Sequence, residues 1–145
     1  MIVIEEVVPD DWLRWKALRL HALADAPDAF SSMYATWQNA DEARWRARLR
    51  DVAYNVVAMD DGVPVGMSSG VDSDPVELIS LWVAPIVRGK GAGDALVRAI
   101  VAWAAPRATR LNVYPDNAPA IALYHRHGFG ELGVIEGELQ MEHAR

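Results

Sequence analysis

The sequence contains no cysteine, which excludes disulfide bonds, thiolate metal sites and a cysteine nucleophile. It also contains no apolar run near the roughly 18 residues that a transmembrane helix needs. The N-terminal stretch MIVIEEVVPDDW is acidic, whereas a secretory signal peptide starts with positive charge. We therefore expect no membrane-spanning segment and a cytoplasmic location.

Positive charge is scarce: 14 Lys and Arg stand against 20 Asp and Glu, for a net charge of −6. This balance argues against a nucleic-acid partner, because binding to the phosphate backbone needs a basic surface. It weakly favours a cationic substrate through electrostatic steering. The 145 residues, 52% of them hydrophobic, predict one globular domain over residues 1–145.

The stretch that organises the chain runs from Val76 to Ala105. Its apolar, β-branched start predicts a strand over Val76–Val83, which Pro85 ends. A glycine-rich turn follows, and an apolar repeat at helical spacing then continues to Pro106. Such a turn leaves backbone N–H groups uncovered beside the positive end of a helix, which is a place for a phosphate.

The glycine pattern narrows the kind of phosphate site. A P-loop is excluded because Gly91, and not Ser or Thr, follows Lys90. A dinucleotide fingerprint is excluded because Asp94 and Leu96 stand where it needs glycine. The remaining pattern is R-x-x-G-x-G, from Arg88 through Gly91 to Gly93. A turn with only a structural role remains the alternative.

The N-terminal third predicts a strand over 1–8, an amphipathic helix over Trp12–Ala24 and a second helix over about Asn39–Arg50. For the first helix we expect a buried face of Leu13, Ala17, Leu20 and Leu23 or Ala24, with Arg14, Lys16 and Arg19 off that face. Between the helices lie Phe30, Ser32, Tyr34 and Trp37. This stretch is either a loop packed on the core or a wall of the acceptor site, where aromatic and polar groups mix.

The remaining segments predict further strands and helices. Tyr54–Met59 and Val63–Val71 form a hairpin around an Asp-Gly turn. The helix Gly91–Ala105 leads to a strand over Thr109–Tyr114, which we expect to lie parallel to Val76–Val83. A last helix ends near Gly128, and Phe129–Met141 is predicted as a final strand with bends at Gly130, Gly133 and Gly137.

A second motif lies in NVYPDNAPAIALYHRHGF. It is similar to N-x-x-A-x-x-L-Y-x-x-x-G-F at Asn117, Ala120, Leu123, Tyr124 and Gly128–Phe129. Together with R-x-x-G-x-G and the element order, it resembles the GNAT superfamily of acyl-CoA N-acyltransferases. The resemblance implies an α+β sandwich in which about four helices flank a mixed, mostly antiparallel sheet.

The resemblance also implies acetyl-CoA as acyl donor and an amine as acceptor. It places the cofactor at Leu81, Trp82, Val83, Arg88, Gly89, Lys90, Gly91, Ala92, Gly93, Asp94, Asn117, Ala120 and Tyr124. Backbone N–H groups around Leu81–Val83 would stabilise the oxyanion. Asn117 would bind the pantetheine region and Tyr124 would protonate the departing thiolate. Without the resemblance, the residues alone favour a helix N-cap at Asn117 and a core aromatic at Tyr124.

Glu77 is the candidate general base, since its position eleven residues before Arg88 matches the glutamate of some family members. The alternatives are a solvent-facing strand end at Glu77 and water as the base. Strand alternation puts Ser80 on the opposite face from Glu77 unless a bulge intervenes, so Ser80 is only a weak substrate candidate.

The function expected from this pattern is N-acetylation of a small molecule or protein amine. The alternative is a sensor of the same fold that holds acyl-CoA without turnover, and the presence of Tyr124 and Glu77 favours the enzyme. The four histidines are scattered or point to different faces, so no metal site is expected. The resemblance allows a homodimer, which the last strand, Phe129–Met141, would form from the edge of the sheet.

Overall fold

The computed structural model describes residues 1–25 and 34–144. The strands are β1 (Ile2–Glu6), β2 (Tyr54–Asp60), β3 (Val63–Val71), β4 (Val76–Val83), β5 (Thr109–Val113), β6 (Gly130–Ile135) and β7 (Glu138–His143). The helices are α1 (Trp12–Asp25), α2 (Tyr34–Gln38), α3 (Glu42–Asp51), α4 (Ala92–Ala104) and α5 (Ala118–Arg126). None of these helices is long and apolar enough to cross a membrane.

The strands form one seven-stranded sheet in the order β1-β2-β3-β4-β5-β7-β6. Only β4 and β5 are parallel, and the other neighbours are antiparallel. The mixed, mostly antiparallel sheet confirms the predicted fold class, and the crossover through α4 confirms the predicted parallel neighbour.

The prediction of one final strand over Phe129–Met141 is wrong. The segment forms a hairpin of β6 and β7, with Glu136 (φ 51°) and Gly137 (φ 83°) at its turn. Two successive left-handed residues make the tight turn that suits a hairpin. β6 becomes an edge strand with Leu132, Val134 and Ile135 exposed; the homodimer through this region stays a prediction.

Side chains alternate between two cores on opposite faces of the sheet. In β2, Val56 and Ala58 pack on the face that α4 and α5 cover, whereas Val57 packs on the face that α1 and α3 cover. We call the core on the α4 and α5 face the first core and the core on the α1 and α3 face the second core. Leu96 and Ile100, on the apolar stripe of α4, pack in the first core. Both faces of the central strands are therefore buried, which explains their continuous apolar runs.

The predicted buried face of α1 is wrong at Leu13, which is 64% exposed, and at Ala17, which is exposed, but it is confirmed at Leu23. The buried residues of the helix are Trp15, Leu18, Arg19, Ala22 and Leu23. These residues also recur at three- and four-residue steps, as the predicted ones do, so the helix has two overlapping apolar stripes. The stripe that contains the larger side chain, Trp15, is the buried one. Arg19, expected on the exposed side, lies in the middle of the buried stripe.

An extra residue in β4 separates it from β5. Ser69 pairs with Ile79, and Met67 pairs with Trp82. Between these two pairs β4 advances by three residues and β3 by only two, so β4 contains a β-bulge. Ser80 takes φ 62° at this bulge, a conformation that costs a serine about 1–3 kcal/mol. β4 and β5 pair only at Val76–Thr109 and Glu77–Arg110, and beyond this point the two strands diverge.

Gly66 in β3 faces both α4 and the bulge. A Cβ built on it would lie 2.9 Å from Leu96 Cδ1 and 3.0 Å from the Trp82 carbonyl oxygen. Gly66→Ala is therefore expected to lower the free energy of unfolding by about 1–3 kcal/mol, because neither neighbour has room to move. Urea denaturation measures the change. The matched control is Gly130→Ala, where a Cβ meets nothing within 4 Å; equal stability of the two variants would contradict the close approach.

Candidate active site

Two connected cavities lie where β4 and β5 diverge. One cleft of about 550 Å³ is bounded by the end of β4, the glycine turn, the start of α4 and one side of α5; we call it the cofactor cleft. A second cavity of about 380 Å³ lies between β4, β5, α1 and α3; we call it the acceptor cavity. Leu81, Asn117 and Ala120 line both, so the two cavities meet beside the bulge.

The glycine turn has the backbone that the sequence predicts for it. Gly89 (φ 85°) and Gly91 (φ 89°) are both left-handed, and Gly91 is the N-cap of α4. No side chain caps this helix start, so the first amides of α4 are left without a side-chain acceptor. Uncapped amides at the positive end of a helix form an anion-binding site.

Most of the predicted cofactor residues border the cofactor cleft. The exceptions are Lys90, Ala92 and Tyr124. Lys90 is exposed, the Ala92 side chain is buried in the core, and Tyr124 lines the acceptor cavity. The structure thus brings the predicted residues to one place, while their roles stay predictions.

Arg88 links the glycine turn to α1. Its Nε donates to the Val83 carbonyl at 3.0 Å and its Nη2 to Asp25 Oδ2 at 2.9 Å. The Trp82 indole N–H donates to the same carboxylate oxygen at 3.0 Å. The hydrogen bond from Trp82, with that from Arg88, lowers the pKa of Asp25. Arg88 therefore fixes the end of β4 as well as placing positive charge at the cleft.

Asp94 joins the start of α4 to the end of α5. Its Oδ1 lies 2.7 Å from His127 Nε2 and accepts from Arg126 Nη2 at 3.0 Å. Partial burial opposes ionisation, but the contacts with His127 and Arg126 outweigh it and lower the pKa of Asp94. Arg126 also lines the cofactor cleft; this cationic residue was not predicted there because it occupies an unspecified position of the second motif.

Asn117 and Tyr124 both belong to α5 and both border the acceptor cavity. Asn117 is the N-cap, and its Oδ1 accepts from the Ala120 amide at 3.3 Å, which confirms the capping alternative. Tyr124 is 6% exposed and packs against Phe129 with ring centroids 5.7 Å apart. Burial raises the pKa of the Tyr124 phenol, so its hydroxyl stays protonated at neutral pH.

The bulge brings Glu77 and Ser80 to the same cavity. Both line the acceptor cavity, although regular alternation would place them on opposite faces of the sheet. Glu77 is exposed, and its carboxylate makes no hydrogen bond or ion pair with any residue in the described ranges. Glu138 of β7 also lines the cavity, and it was not predicted as a site residue.

Two arginines, the buried Arg19 and the partly buried Arg48, form part of the acceptor cavity wall, and neither was predicted there. Arg48 of α3 donates from Nη1 to Asn55 Oδ1 at 2.9 Å, and from Nη2 to Ser69 Oγ at 3.2 Å and Ser80 Oγ at 3.4 Å. Arg19 of α1 is 8% exposed. Burial lowers the pKa of each guanidinium to about 10, and the charge of Arg48 adds to this effect on Arg19.

Aromatic side chains complete the wall on the side of α1, α2 and α3. Trp15, Trp37 and Trp45 line the cavity, and the rings of Trp37 and Trp45 lie 4.8 Å apart. Of the predicted substrate residues, Phe30 and Ser32 lie outside the described residues. Tyr34 begins α2 and is 38% exposed, and it is not among the described residues that border the cavity.

Within residues 1–25 and 34–144, no group of three or more His, Asp or Glu side chains could hold a metal ion.

Comparison with known proteins assigns this architecture. The model of the "Acetyltransferase (GNAT) family" matches residues 16–129. An uncharacterized N-acetyltransferase of Methanocaldococcus jannaschii is 33% identical over 113 residues, covering 68% of this chain and 50% of the relative. The chain thus spans about half the length of that relative.

Solved structures share the fold over nearly the whole chain. PaiA N-acetyltransferase of Thermoplasma acidophilum, in complex with coenzyme A, has a TM-score of 0.78 at 16% identity and covers 100% of this chain and 99% of its own. A phosphinothricin acetyltransferase of Sinorhizobium meliloti, in complex with acetyl-CoA, has a TM-score of 0.76 at 19% identity, with coverage of 97% and 86%. At these identities the likeness shows the fold alone.

The ion pairs of Asp94 predict a pH-dependent contribution to stability. Because they hold the pKa of Asp94 below its unfolded value of about 3.9, they stabilise the fold above about pH 4, and this stability is lost as pH falls through the lowered pKa. Asp94→Asn should therefore lower the free energy of unfolding by up to about 1 kcal/mol at pH 6. The difference from wild type should shrink by pH 3, measured by urea denaturation. Asp116→Asn, at an exposed position, is the control; a pH-independent difference for Asp94→Asn would contradict the assignment.

Proposed function

Because the chain belongs to the GNAT family of acetyltransferases, we propose that it transfers the acetyl group of acetyl-CoA to a primary amine bound at the same time. The observation that carries this proposal is the junction of the two cavities at Leu81, Asn117 and Ala120. A donor in one cavity and an acceptor in the other would meet there without a covalent enzyme intermediate. Holding both reactants in place removes much of the entropic barrier to the reaction.

The cofactor cleft has groups that suit the phosphates of coenzyme A. The uncapped amides of α4 offer hydrogen-bond donors, and Arg88 and Arg126 add positive charge at its border. Side chains at Gly89 and Gly91 would meet no protein atom within 4 Å, but their left-handed backbone requires glycine. Lys90 lies beside this turn and adds a further cation.

The free edge of β4 suits the pantetheine arm. The Ala84 N–H donates to Val65 O of β3 at 2.8 Å, so by alternation the Val83 N–H points away from β3, into the gap before β5. An extended amide-containing chain would pair with this edge like an added strand. Backbone N–H groups around Leu81–Val83 would also stabilise the negative charge that develops on the acyl oxygen.

Acetyl-CoA supplies an acyl group activated as a thioester. The amine forms the new C–N bond as the C–S bond breaks, and the sulfur leaves as a thiolate that needs a proton. Tyr124 is the proposed general acid, because it borders the acceptor cavity and its hydroxyl has no hydrogen-bond partner among the described residues. Burial raises the pKa of the phenol, so Tyr124 carries its proton before the reaction begins.

An amine with a pKa of about 10 arrives protonated and must lose a proton before it attacks. Glu77 is the proposed base, since its unpaired carboxylate lines the acceptor cavity. Water that enters from the open side of the cavity is the alternative. Glu138 gives the same cavity a second carboxylate, which would help to attract the ammonium form.

Tyr124→Phe tests the acid. The variant should lower kcat by about 100-fold or more, the range of general acid catalysis, while the Kd for acetyl-CoA changes little. Thiol release measures turnover and calorimetry measures binding. Tyr54→Phe is the matched control, because Tyr54 stacks on Trp103 and lines neither cavity. Unchanged turnover in Tyr124→Phe would remove Tyr124 from the mechanism.

Glu77→Gln tests the base. We expect kcat/KM to fall by about 100-fold at pH 7, with the deficit shrinking toward pH 10 as the free amine becomes abundant without help. Rates of thiol release across this pH range give the profile. Glu6→Gln, on the exposed side of β1, is the control. Equal profiles for wild type and Glu77→Gln would assign the proton transfer to water.

A further inference from the structure

Arg48 is a largely buried cation whose contacts in the described residues are all neutral. Its hydrogen-bond acceptors are the amide oxygen of Asn55 and the hydroxyls of Ser69 and Ser80, and it lies over the Trp15 ring at 5.3 Å. Three of the five N–H donors of a guanidinium are used in this way, which leaves two. A charge taken out of water normally has a counter-charge beside it.

The network around Arg48 holds the guanidinium in one position. Ser69 Oγ donates to Asn55 Oδ1 at 2.7 Å, and Asn55 Nδ2 donates to the Val52 carbonyl at 2.8 Å. Asn55 and Ser69 are buried and connect β2 and β3 to the end of α3. A fold that fixes a buried cation with neutral groups presents that charge to the cavity instead of neutralising it.

The wall that Arg48 belongs to is rich in hydrogen-bond donors. Arg19 lies close enough for the charge of Arg48 to act on it, and the two like charges share one side of the cavity. Each guanidinium has up to five N–H donors and no acceptor. Two guanidiniums on one wall suit a ligand that brings oxygen acceptors and negative charge.

We propose that the acceptor is a small amine that also carries an oxyanion, a carboxylate or a phosphonate, and that Arg48 and Arg19 bind this oxyanion in the acceptor cavity. This inference rests on the proposed acetyl transfer and names the substrate class of the same site. The cavity volume of about 380 Å³ suits a small molecule. The acceptor is thus an amino acid or an analogue of one.

The position of Arg48 limits the distance between the two charged ends of the acceptor. Arg48 contacts Ser80, and the next residue, Leu81, borders both cavities. The guanidinium therefore lies beside the segment of β4 that borders both cavities. An acceptor with its amine at the junction and its oxyanion on Arg48 would be a short molecule.

The charges of the cavity also disfavour other acceptors. The carboxylates of Glu77 and Glu138 line the same cavity as Arg19 and Arg48, which matches a zwitterion with one ammonium and one oxyanion. A polyamine would place a second ammonium beside two guanidiniums. The local charge therefore opposes the cationic substrate that the net charge of −6 favours.

Matched acceptors test the proposal. Each amino acid of a panel is compared with its carboxamide, which keeps the shape and loses the charge, and with its aminophosphonate; a polyamine is included. For wild type, kcat/KM should be roughly 10- to 100-fold higher for the preferred acid than for its carboxamide. Comparison of kcat/KM for each amino acid and its aminophosphonate shows which oxyanion the site prefers. Calorimetry with coenzyme A bound gives the same comparison without turnover.

Arg48→Gln should remove this preference. The variant should lower kcat/KM for the acid by roughly 10- to 100-fold and change that for the carboxamide less than about threefold. Arg19→Gln should act in the same direction, and it provides a second variant if Arg48→Gln does not fold in a thermal melt. Arg50→Gln is the control, because Arg50 lies on the same helix, is exposed and pairs with Asp51.

Preference for the carboxamides or the polyamine, or equal use of acids and carboxamides, would overturn the oxyanion site and leave acetyl transfer intact. Failure of every acid to bind more tightly than its carboxamide would also overturn it. The absence of both binding and consumption of acetyl-CoA would instead refute the proposed function. The two failures are therefore distinguishable in one set of measurements.

Discussion

The extra residue in β4 is the constraint on which the candidate site depends. At Ser80 the strand gains one residue relative to β3, and the left-handed backbone there turns the following residues out of regular alternation. β4 then stops pairing with β5 after Glu77. The gap gives a free strand edge, a junction between two cavities, and a face that carries both Glu77 and Ser80. Without the bulge the sheet would close over this position.

Charge in this protein is arranged locally, against its overall acidity. The cofactor cleft gathers Arg88 and Arg126 near uncapped helix amides, and the acceptor cavity holds Arg19 and Arg48 beside Glu77. Arg88 pairs with Asp25 and Arg126 pairs with Asp94, whereas the hydrogen-bond partners of Arg48 among the described residues are neutral. Arg88 and Arg126 therefore also stabilise the fold through ion pairs. Arg48 has no such pair, and its charge is available to a ligand.

Local sequence signals predicted most of the helices, strands and turns. Tertiary contacts decided which faces of these elements are buried, and the sequence did not reveal this. The Asp-Gly hairpin and the glycine turn were predictable because each needs backbone angles that few residues adopt. The buried face of α1 was not, since its two apolar stripes overlap and only packing against the sheet selects Trp15. Arg48 was missed for a related reason: an arginine in an amphipathic helix normally faces solvent. Its role follows only from the strands that meet α3.

The central claim is that β4, opened by its bulge, and the start of α4 together receive acetyl-CoA. Backbone hydrogen exchange with and without acetyl-CoA, resolved to single amides, tests this most directly. The account predicts slower exchange at Val83 and at the first amides of α4, Ala92–Asp94, with no change in β1, which lies at the far edge of the sheet. Exchange that is unchanged at these amides while acetyl-CoA is bound, or protection centred elsewhere in the sheet, would contradict it.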